Sequence, residues 1–542
     1  MSRKRKNLEE NNKIFDEDRM TLPLLRKTLE TFSKLYLENQ IQRQDHPDNP
    51  RKFEKSEIDL LMCLQNLRGI TLEPSLYTYL INHKTGFSGI LEGISHESLL
   101  ISSSIVSIIS EALEEDPENL SSEEHTKKLL DALLKGSLIE RICTYIQKFP
   151  IGEDNEKATK ENEQEKEKEK EKEEEKEKEK EKEKEKEKSL SKIQVDEENS
   201  EMLYTGFNLI ETIYEFRPEI VSKSLISNEK FLNYLISGFS KYEINVTESD
   251  VDANIGYCAE LLAIIVQTPI ARESPKLFQM VLKPCLNLLT MGKKTKHSPD
   301  QKEFMNNLFD ILSSLLLNEH NKDLLLSSGS LDSLISIMKA GHYRSKALSV
   351  IEMALSNSHS SCDHFVNVSL GLGPLFHQFM KKKKMQEDEN KFSQRQCRLD
   401  RSLFSCILSL LFFGSKITQA RTLAKFVERK YQKIDVLFLY FETYRLQIVS
   451  LEQQEDNSTE WNEKMVLIES IFYKIALLFA QIWIKIKSLK KRINKYLPII
   501  RSTLEDYYQE LEQENQQTKN KSVEFNLVQN ILNTIPQNST NN

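Results

Sequence analysis

One layout recurs along this chain and limits what it can fold into: a glycine, a short apolar helical segment, a polar turn, then a longer apolar helical segment. The clearest copies are residues 86–113 (GFSGILEGISHESLLISSSIVSIISEAL) and 329–355 (GSLDSLISIMKAGHYRSKALSVIEMAL). A third starts at Gly371 with GLGPLFHQFMKKKK and, after a charged insertion, continues as RSLFSCILSLLFF. Weaker copies start at Gly136, around Asn228 and near Pro284. Gly329 and Gly371 lie 42 residues apart, Gly86 and Gly136 lie 50 apart. A period of roughly 40–47 residues with two or three helices per unit marks armadillo and HEAT arrays. The glycine suits a tight bend between the short helix and the next. Ile90, Leu91, Ile94, Ile105, Ile108 and Ile109 are expected to bury against neighbouring units, because no unit covers its apolar face alone. An irregular helical bundle is the plainer alternative.

Composition agrees with this reading. A chain of 542 residues exceeds one compact core, so it forms several domains or one repeat array. Its 15 glycines and 14 prolines are too few for a strand-and-turn-rich fold. Acidic residues outnumber basic ones, 83 to 75, which gives no general pull toward nucleic acid. Cys63, Cys143, Cys258, Cys285, Cys362, Cys397 and Cys406 form no CxxC pair. Most sit in apolar helical patterns and read as buried small hydrophobes in a reducing compartment. The opening MSRKRKNLEE has no apolar stretch behind its basic residues, so it does not read as a signal peptide. The most apolar run, 471–486, is interrupted by Lys474, Gln481 and Lys485. That spacing fits a core helix better than a membrane span. A cytosolic or nuclear protein is expected.

The fold class expected is all-α: a right-handed armadillo/HEAT-like helical repeat superhelix with a disordered Glu/Lys-rich insert. Residues 1–20 form a disordered polar tail with a basic cluster, 21–150 N-terminal helices and the first repeats, and 151–200 the insert. Further repeats occupy 201–450, a helical cap 451–511, and a polar, mostly disordered tail 512–542, in which the apolar stretch 525–535 is placed to dock back. Asn49 can cap the helix that Pro50 opens. Between 165 and 188 glutamate and lysine alternate, broken only by Glu173-Glu174-Glu175. Such a tract has no apolar face to bury and reads as a solvated spacer, with a specific charged binding tract as the alternative.

Several phrases resemble one family. PDNPRKFEKSEIDL, ETIYEFRPEI at 211–220, YCAELLAIIVQ at 257–267, FMNNLFDILSSLLL at 304–317 and SKALSVIEMAL at 345–355 are similar to the beta-catenin-like protein 1 family, in order from about Leu24 to the last helical block. The resemblance implies an armadillo-like nuclear scaffold associated with the spliceosome. Its implied partners are the nineteen complex, including a cell-division-cycle-five-like subunit, and basic nuclear-localisation segments. Two departures stand out: the Glu/Lys tract occupies what looks like an ordinary inter-helix connection, and the N-terminal region is little more than MSRKRK.

No motif for catalysis, cofactor or metal binding emerges. There is no phosphate-cradling glycine loop, and His96-Glu97 lacks the second histidine of a metalloprotease helix. His359, Cys362 and His364 lack a second ligand pair and read as a solvated turn. Arg3, Lys4, Arg5 and Lys6 suit a nuclear import signal. Lys381–Lys384 reads as a solvated loop. Lys490, Lys491, Arg492 and Lys495 have no interleaved aromatics to stack on bases, which disfavours direct RNA binding. A peptide groove of the Trp-x-x-x-Asn type is excluded, because Trp461 and Trp483 lie outside the clear repeats. Glu260, Asn306, Asp310 and Glu352 are polar positions on apolar helices and the candidates for meeting arginines or lysines of a partner. The function expected is a nuclear protein-binding scaffold supporting pre-mRNA splicing, without membrane contact and with self-association left open. The alternatives are a cytoplasmic armadillo adaptor in transport or adhesion, and a direct RNA binder.

Overall fold

Several helices in this chain start where a short polar side chain captures the first free backbone N–H groups. At Ser298 the hydroxyl accepts from the Gln301 N–H (3.2 Å) while the Gln301 side chain accepts from the Ser298 N–H (3.2 Å), with Pro299 in the first position. Asn228, Asp252, Asn318, Ser358 and Ser393 cap other helices in the same manner, each worth about 1 kcal/mol. At Pro50 the expected cap is incomplete. Proline takes the first position, but the Asn49 side chain makes no capping hydrogen bond.

The computed structural model describes residues 20–114, 120–151, 177–242, 251–295, 297–381, 393–453, 458–518 and 522–536. Among them every regular element is helical. Contacts divide the chain into two units, one of Met1–Glu243 with Asp250–Ser274, the other of Ile244–Ser249 with Pro275–Asn542. Helices of eight residues or more are numbered here. The first unit holds α1 (Leu22–Asp45), α2 (Pro50–Arg68), α3 (Lys84–Gly93), α4 (Leu99–Leu113), α5 (Leu120–Lys135), α6 (Leu138–Ile146), α7 (Glu177–Phe216), α8 (Pro218–Ser227), α9 (Glu229–Ser240) and α10 (Ala253–Ile265). The second holds α11 (Pro275–Met291), α12 (Pro299–Leu315), α13 (Glu319–Ser327), α14 (Ser330–Ala340), α15 (Arg344–Leu355), α16 (His359–Asn367), α17 (Leu372–Phe379), α18 (Gln394–Phe412), α19 (Lys416–Glu452), α20 (Thr459–Lys485), α21 (Leu497–Thr518) and α22 (Val523–Thr534).

The repeat is clearest in the second unit, where α13–α14–α15 and α16–α17–α18 are successive three-helix motifs. Each helix packs on its counterpart: α13 on α16, α14 on α17, α15 on α18. The long helices form a row, α12–α15–α18–α20, and the first unit has its own row, α2–α4–α7–α10. The six isoleucines and leucines expected in the core, Ile90 to Ile109, are buried, and so are all seven cysteines. Helix α20 is long and apolar enough to cross a membrane by length and composition, yet packs against α18, α19 and α21. Phe525, Val528, Ile531 and Ile535 are buried where α22 packs on α21 and α20. The insert expected to be disordered over 151–200 is instead helical from Glu177, continuous with the repeat helix that ends at Phe216, because the tract's Glu and Lys are good helix formers; residues 152–176 of the insert lie outside the described part.

The glycines that mark the repeat do different jobs. Gly329 makes the expected bend, with φ of 68° ahead of α14. At the next repeat the left-handed residue is Leu370 (φ 52°), and Gly371 has ordinary helical torsions. Glycine is needed there because a β-carbon would collide with the Phe365 ring. At Gly136 the bend again falls one residue off, on Ser137 (φ 59°), and a β-carbon would run into Leu91. Gly371→Ala should therefore destabilise by about 1–3 kcal/mol through overpacking, read from the urea denaturation midpoint of the full chain.

In the first unit the phrase PDNPRKFEKSEIDL builds a polar knot. Asn39 donates to the Ser56 hydroxyl (2.8 Å), and Arg43 donates to Asn39 Oδ1 (3.1 Å), pairs with Glu57 and Glu97, and lies 4.2 Å over the Phe53 ring. His96, 2% exposed, accepts at Nδ1 from the Ser98 N–H (3.0 Å) and so carries its proton on Nε2, 3.1 Å from Asn39 Oδ1. Burial above all, then the charge of Arg43, lowers its pKa to about 4. The unfolded chain binds this proton below about pH 6.5 and the folded chain does not. Stability is thus complete above pH 6.5 and falls as the pH drops toward 4, by on the order of 2 kcal/mol between pH 6.5 and 5. His96→Gln should flatten that slope when urea midpoints are compared at the two pH values.

Candidate protein-binding surfaces

Among the described residues, each unit carries a polar strip along its row of long helices. In the first unit, α7 and α10 bring together the phrases at 211–220 and 257–267. Tyr257 donates its hydroxyl to the Glu211 carboxylate, and Tyr214 donates to the Ile264 carbonyl (3.1 Å). Asn254 donates to the Ser200 hydroxyl (2.7 Å) and ties the same two helices together. Tyr257 stacks on Phe207 (5.4 Å between centroids), and Tyr204 meets it edge-on at 5.3 Å. Burial, then Glu211, with contributions from Tyr204 and Glu260, pushes the Tyr257 phenol well above its usual range, so it stays a neutral donor. Tyr204 is 47% exposed and Glu201 lies exposed one turn before it. An open aromatic face beside Glu201, Glu211 and Glu260 is suited to a lysine or arginine, by cation–π contact and by charge.

The second unit is different in sign. A cavity of about 830 Å³ lies between α12, α15, α18 and α20. Asn306 and Asp310, one turn apart on α12, line it. Asp310, however, already receives Lys346 from α15 at 2.9 and 3.2 Å. Glu352 is only 8% exposed, with a carboxylate oxygen that has no hydrogen-bond partner, and it does not line the cavity. Glu260 belongs to the first unit. Within the second unit, Glu352 does not join the patch of Asn306 and Asp310. The residues that sequence reasoning missed are Arg395, Arg398 and Arg401, which reach the cavity from α18. Their three-residue spacing, RQCRLDR, puts them along one helix face and was the available signal.

The other sequence candidates are placed as follows. Arg3, Lys4, Arg5 and Lys6, and 382–384 of the lysine run, lie outside the described residues. Lys490 sits 4.1 Å over the Trp483 ring, Arg492 pairs with Asp435, and Lys495 lies 4.5 Å over Tyr496, so three of that cluster's four cations have internal partners. Trp461 and Trp483 use their ring N–H groups on the Leu451 carbonyl (3.2 Å) and on Asn494 (2.7 Å). His359, Cys362 and His364 do not form a solvated turn: they lie in α16, with Cys362 buried beneath the Leu355 and Ser409 carbonyls.

Three-helix motifs packed counterpart on counterpart, with a polar strip along their long helices, define an armadillo-type repeat protein. The family described as "Catenin-beta-like, Arm-motif containing nuclear" matches residues 3–164 and 187–512, and the chain belongs to that family. Beta-catenin-like protein 1 of Homo sapiens is 25% identical over 429 residues, which cover 77% of this chain and 65% of the human one. The homolog from Schizosaccharomyces pombe is 23% identical over 463 residues, 81% of this chain and 68% of the yeast protein. The chain thus spans a little under two thirds of the human relative's length. Among solved structures, SYS-1 is similar at a TM-score of 0.45 and 10% identity, over 95% of this chain and 100% of its own.

Because Glu352 lies buried off the cavity, Glu352→Gln should leave basic-peptide binding unchanged. Loss of basic-peptide binding in that variant, measured by fluorescence anisotropy, would restore Glu352 as a contact residue.

Proposed function

We propose that this chain is a nuclear, non-enzymatic scaffold of the pre-mRNA splicing machinery that works by binding basic segments of partner proteins. The partners proposed are proteins of the nineteen complex, including a cell-division-cycle-five-like subunit, and the lysine- and arginine-rich nuclear-localisation segments such proteins carry. Family membership supports the nuclear scaffold. The observation that carries the binding mode is the first unit's strip, where exposed Tyr204 stands against Tyr257 among Glu201, Glu211 and Glu260. A rigid row of helices holds these groups in place before a partner arrives, so little ordering cost falls on the scaffold side. Entry to the nucleus is assigned to Arg3, Lys4, Arg5 and Lys6, and deleting them should shift the protein to the cytoplasm.

The test has two parts. Tagged protein purified from nuclease-treated nuclear extract should bring down nineteen-complex subunits, identified by mass spectrometry. Recovery of cytoplasmic transport or adhesion proteins alone would overturn the splicing assignment. A labelled lysine/arginine-rich peptide should bind the full chain, and Tyr204→Ala should weaken it by about 3- to 30-fold, as loss of a cation–π contact implies. Glu260→Lys should weaken it further. Binding indifferent to both substitutions would remove the strip from consideration.

A further inference from the structure

The cavity of the second unit is built for the opposite charge. Five cations line it, Lys302, Lys346, Arg395, Arg398 and Arg401, against two carboxylates, Asp310 and Glu463. Lys346 neutralises Asp310. Lys302 and Arg398 have no ion-pair partner among the described residues, and Arg401 has a buried Nε without a hydrogen-bond partner. Deeper in the wall stands His297, 5% exposed, with Nδ1 2.5 Å from the Tyr343 hydroxyl and Nε2 buried and without a partner among the described residues. With the Tyr343 hydroxyl donating to Nδ1, Nε2 carries the proton and is a donor without an acceptor. Buried donors left unsatisfied cost about 1–3 kcal/mol each. The charge field agrees: His342 and Lys302 add to burial in lowering the His297 pKa, and Arg395 adds to it for neighbouring Arg344.

We propose that this cavity binds an oxyanion carried by a peptide, a phosphorylated or carboxylate side chain in an acidic segment of a partner protein. Arg398 and Lys302 meet the segment at the rim. Arg401 and His297 satisfy its anionic group within, by the charge-assisted hydrogen bonds that make such pairs strong. A peptide fits better than a nucleic acid because the lining Tyr343 ring is 8% exposed and already packed on His297 and Phe309, so no platform is open for base stacking. Asn306 offers both a donor and an acceptor, the pattern that matches a peptide group. The proposal is independent of basic-segment binding by the first unit.

Fluorescence anisotropy on the full chain tests it, with four labelled ligands of equal length: a phosphoserine-containing acidic peptide, its unphosphorylated form, a lysine/arginine-rich peptide and oligouridine. At least one acidic peptide should bind more tightly than oligouridine. Arg398→Glu and Lys302→Glu, both at exposed positions, should each weaken it tenfold or more, with unchanged thermal melting. Preference between the two acidic peptides separates a phosphate from a carboxylate as the anion. Tyr204→Ala should leave acidic-peptide binding intact, which keeps this outcome distinct from that of the first unit. Oligouridine binding more tightly than both acidic peptides, acidic-peptide affinity indifferent to both charge reversals, or no acidic-peptide binding at all would each overturn the proposal.

Discussion

The packing of one long helix on the next is the interaction on which the rest of this molecule depends. Helix α18 shows why. Leu403, Phe404, Cys406, Ile407, Leu410 and Leu411 are all buried, distributed around the helix, so that it meets α15 on one side and α20 on the other. At about 2 kcal/mol for each large apolar side chain, this one helix buries as much as the whole net stability of a domain, about 5–15 kcal/mol. No motif here keeps its core if a neighbour is removed. The consequence reaches function. Stacking claims most of each helix surface, and what remains for a partner is a strip of one or two residues per turn.

That strip is where the two units part company. The apolar positions are dictated by the fold, whereas strip positions tolerate almost any polar side chain. The first unit uses them for tyrosine and glutamate, the second for arginine and lysine. A net charge of −8 spread over 542 residues conceals both surfaces. Bulk charge therefore speaks to solubility and long-range steering and is silent on what either strip recognises.

Much of the fold was legible in the sequence because it rests on local pattern. The period, the buried faces of Ile90 to Ile109, the buried cysteines and proline at the start of α2 all follow from residues a few positions apart. Glycine was legible in part: its recurrence marks the repeat, but Leu370 and Ser137 make the bends beside Gly371 and Gly136, and close packing of Phe365 and Leu91 explains those glycines instead. The binding strips were less legible. A polar residue on an apolar helix looks the same in sequence whether it faces a cavity, as Asn306 does, or lies buried, as Glu352 does. The arginines of α18 follow the charged insertion after GLGPLFHQFMKKKK and read as its continuation, because their neighbours in space come from α12 and α15.

Those neighbours obey a rule that a repeat sequence does carry. Within a helix, partners sit three or four residues apart; between stacked motifs they sit about one period apart. Lys346 meets Asp310 after 36 residues, Ser360 meets Asp323 after 37, Lys293 meets Ser336 after 43, Tyr257 meets Glu211 after 46 and Tyr214 meets the Ile264 carbonyl after 50. Once the period is known, a polar residue on a long helix has its cross-motif partner roughly 35–50 positions away, on either side. Read with that spacing, Asp310 is not an open acid waiting for a partner's lysine, because Lys346 stands at the right distance to take it. Glu352 of α15 stands 46 positions before Arg398, yet Arg398 has no ion-pair partner among the described residues, because Glu352 lies buried off the cavity. In a stacked array, the charges left over after this pairing, and not the charges counted along one helix, define what the groove can hold.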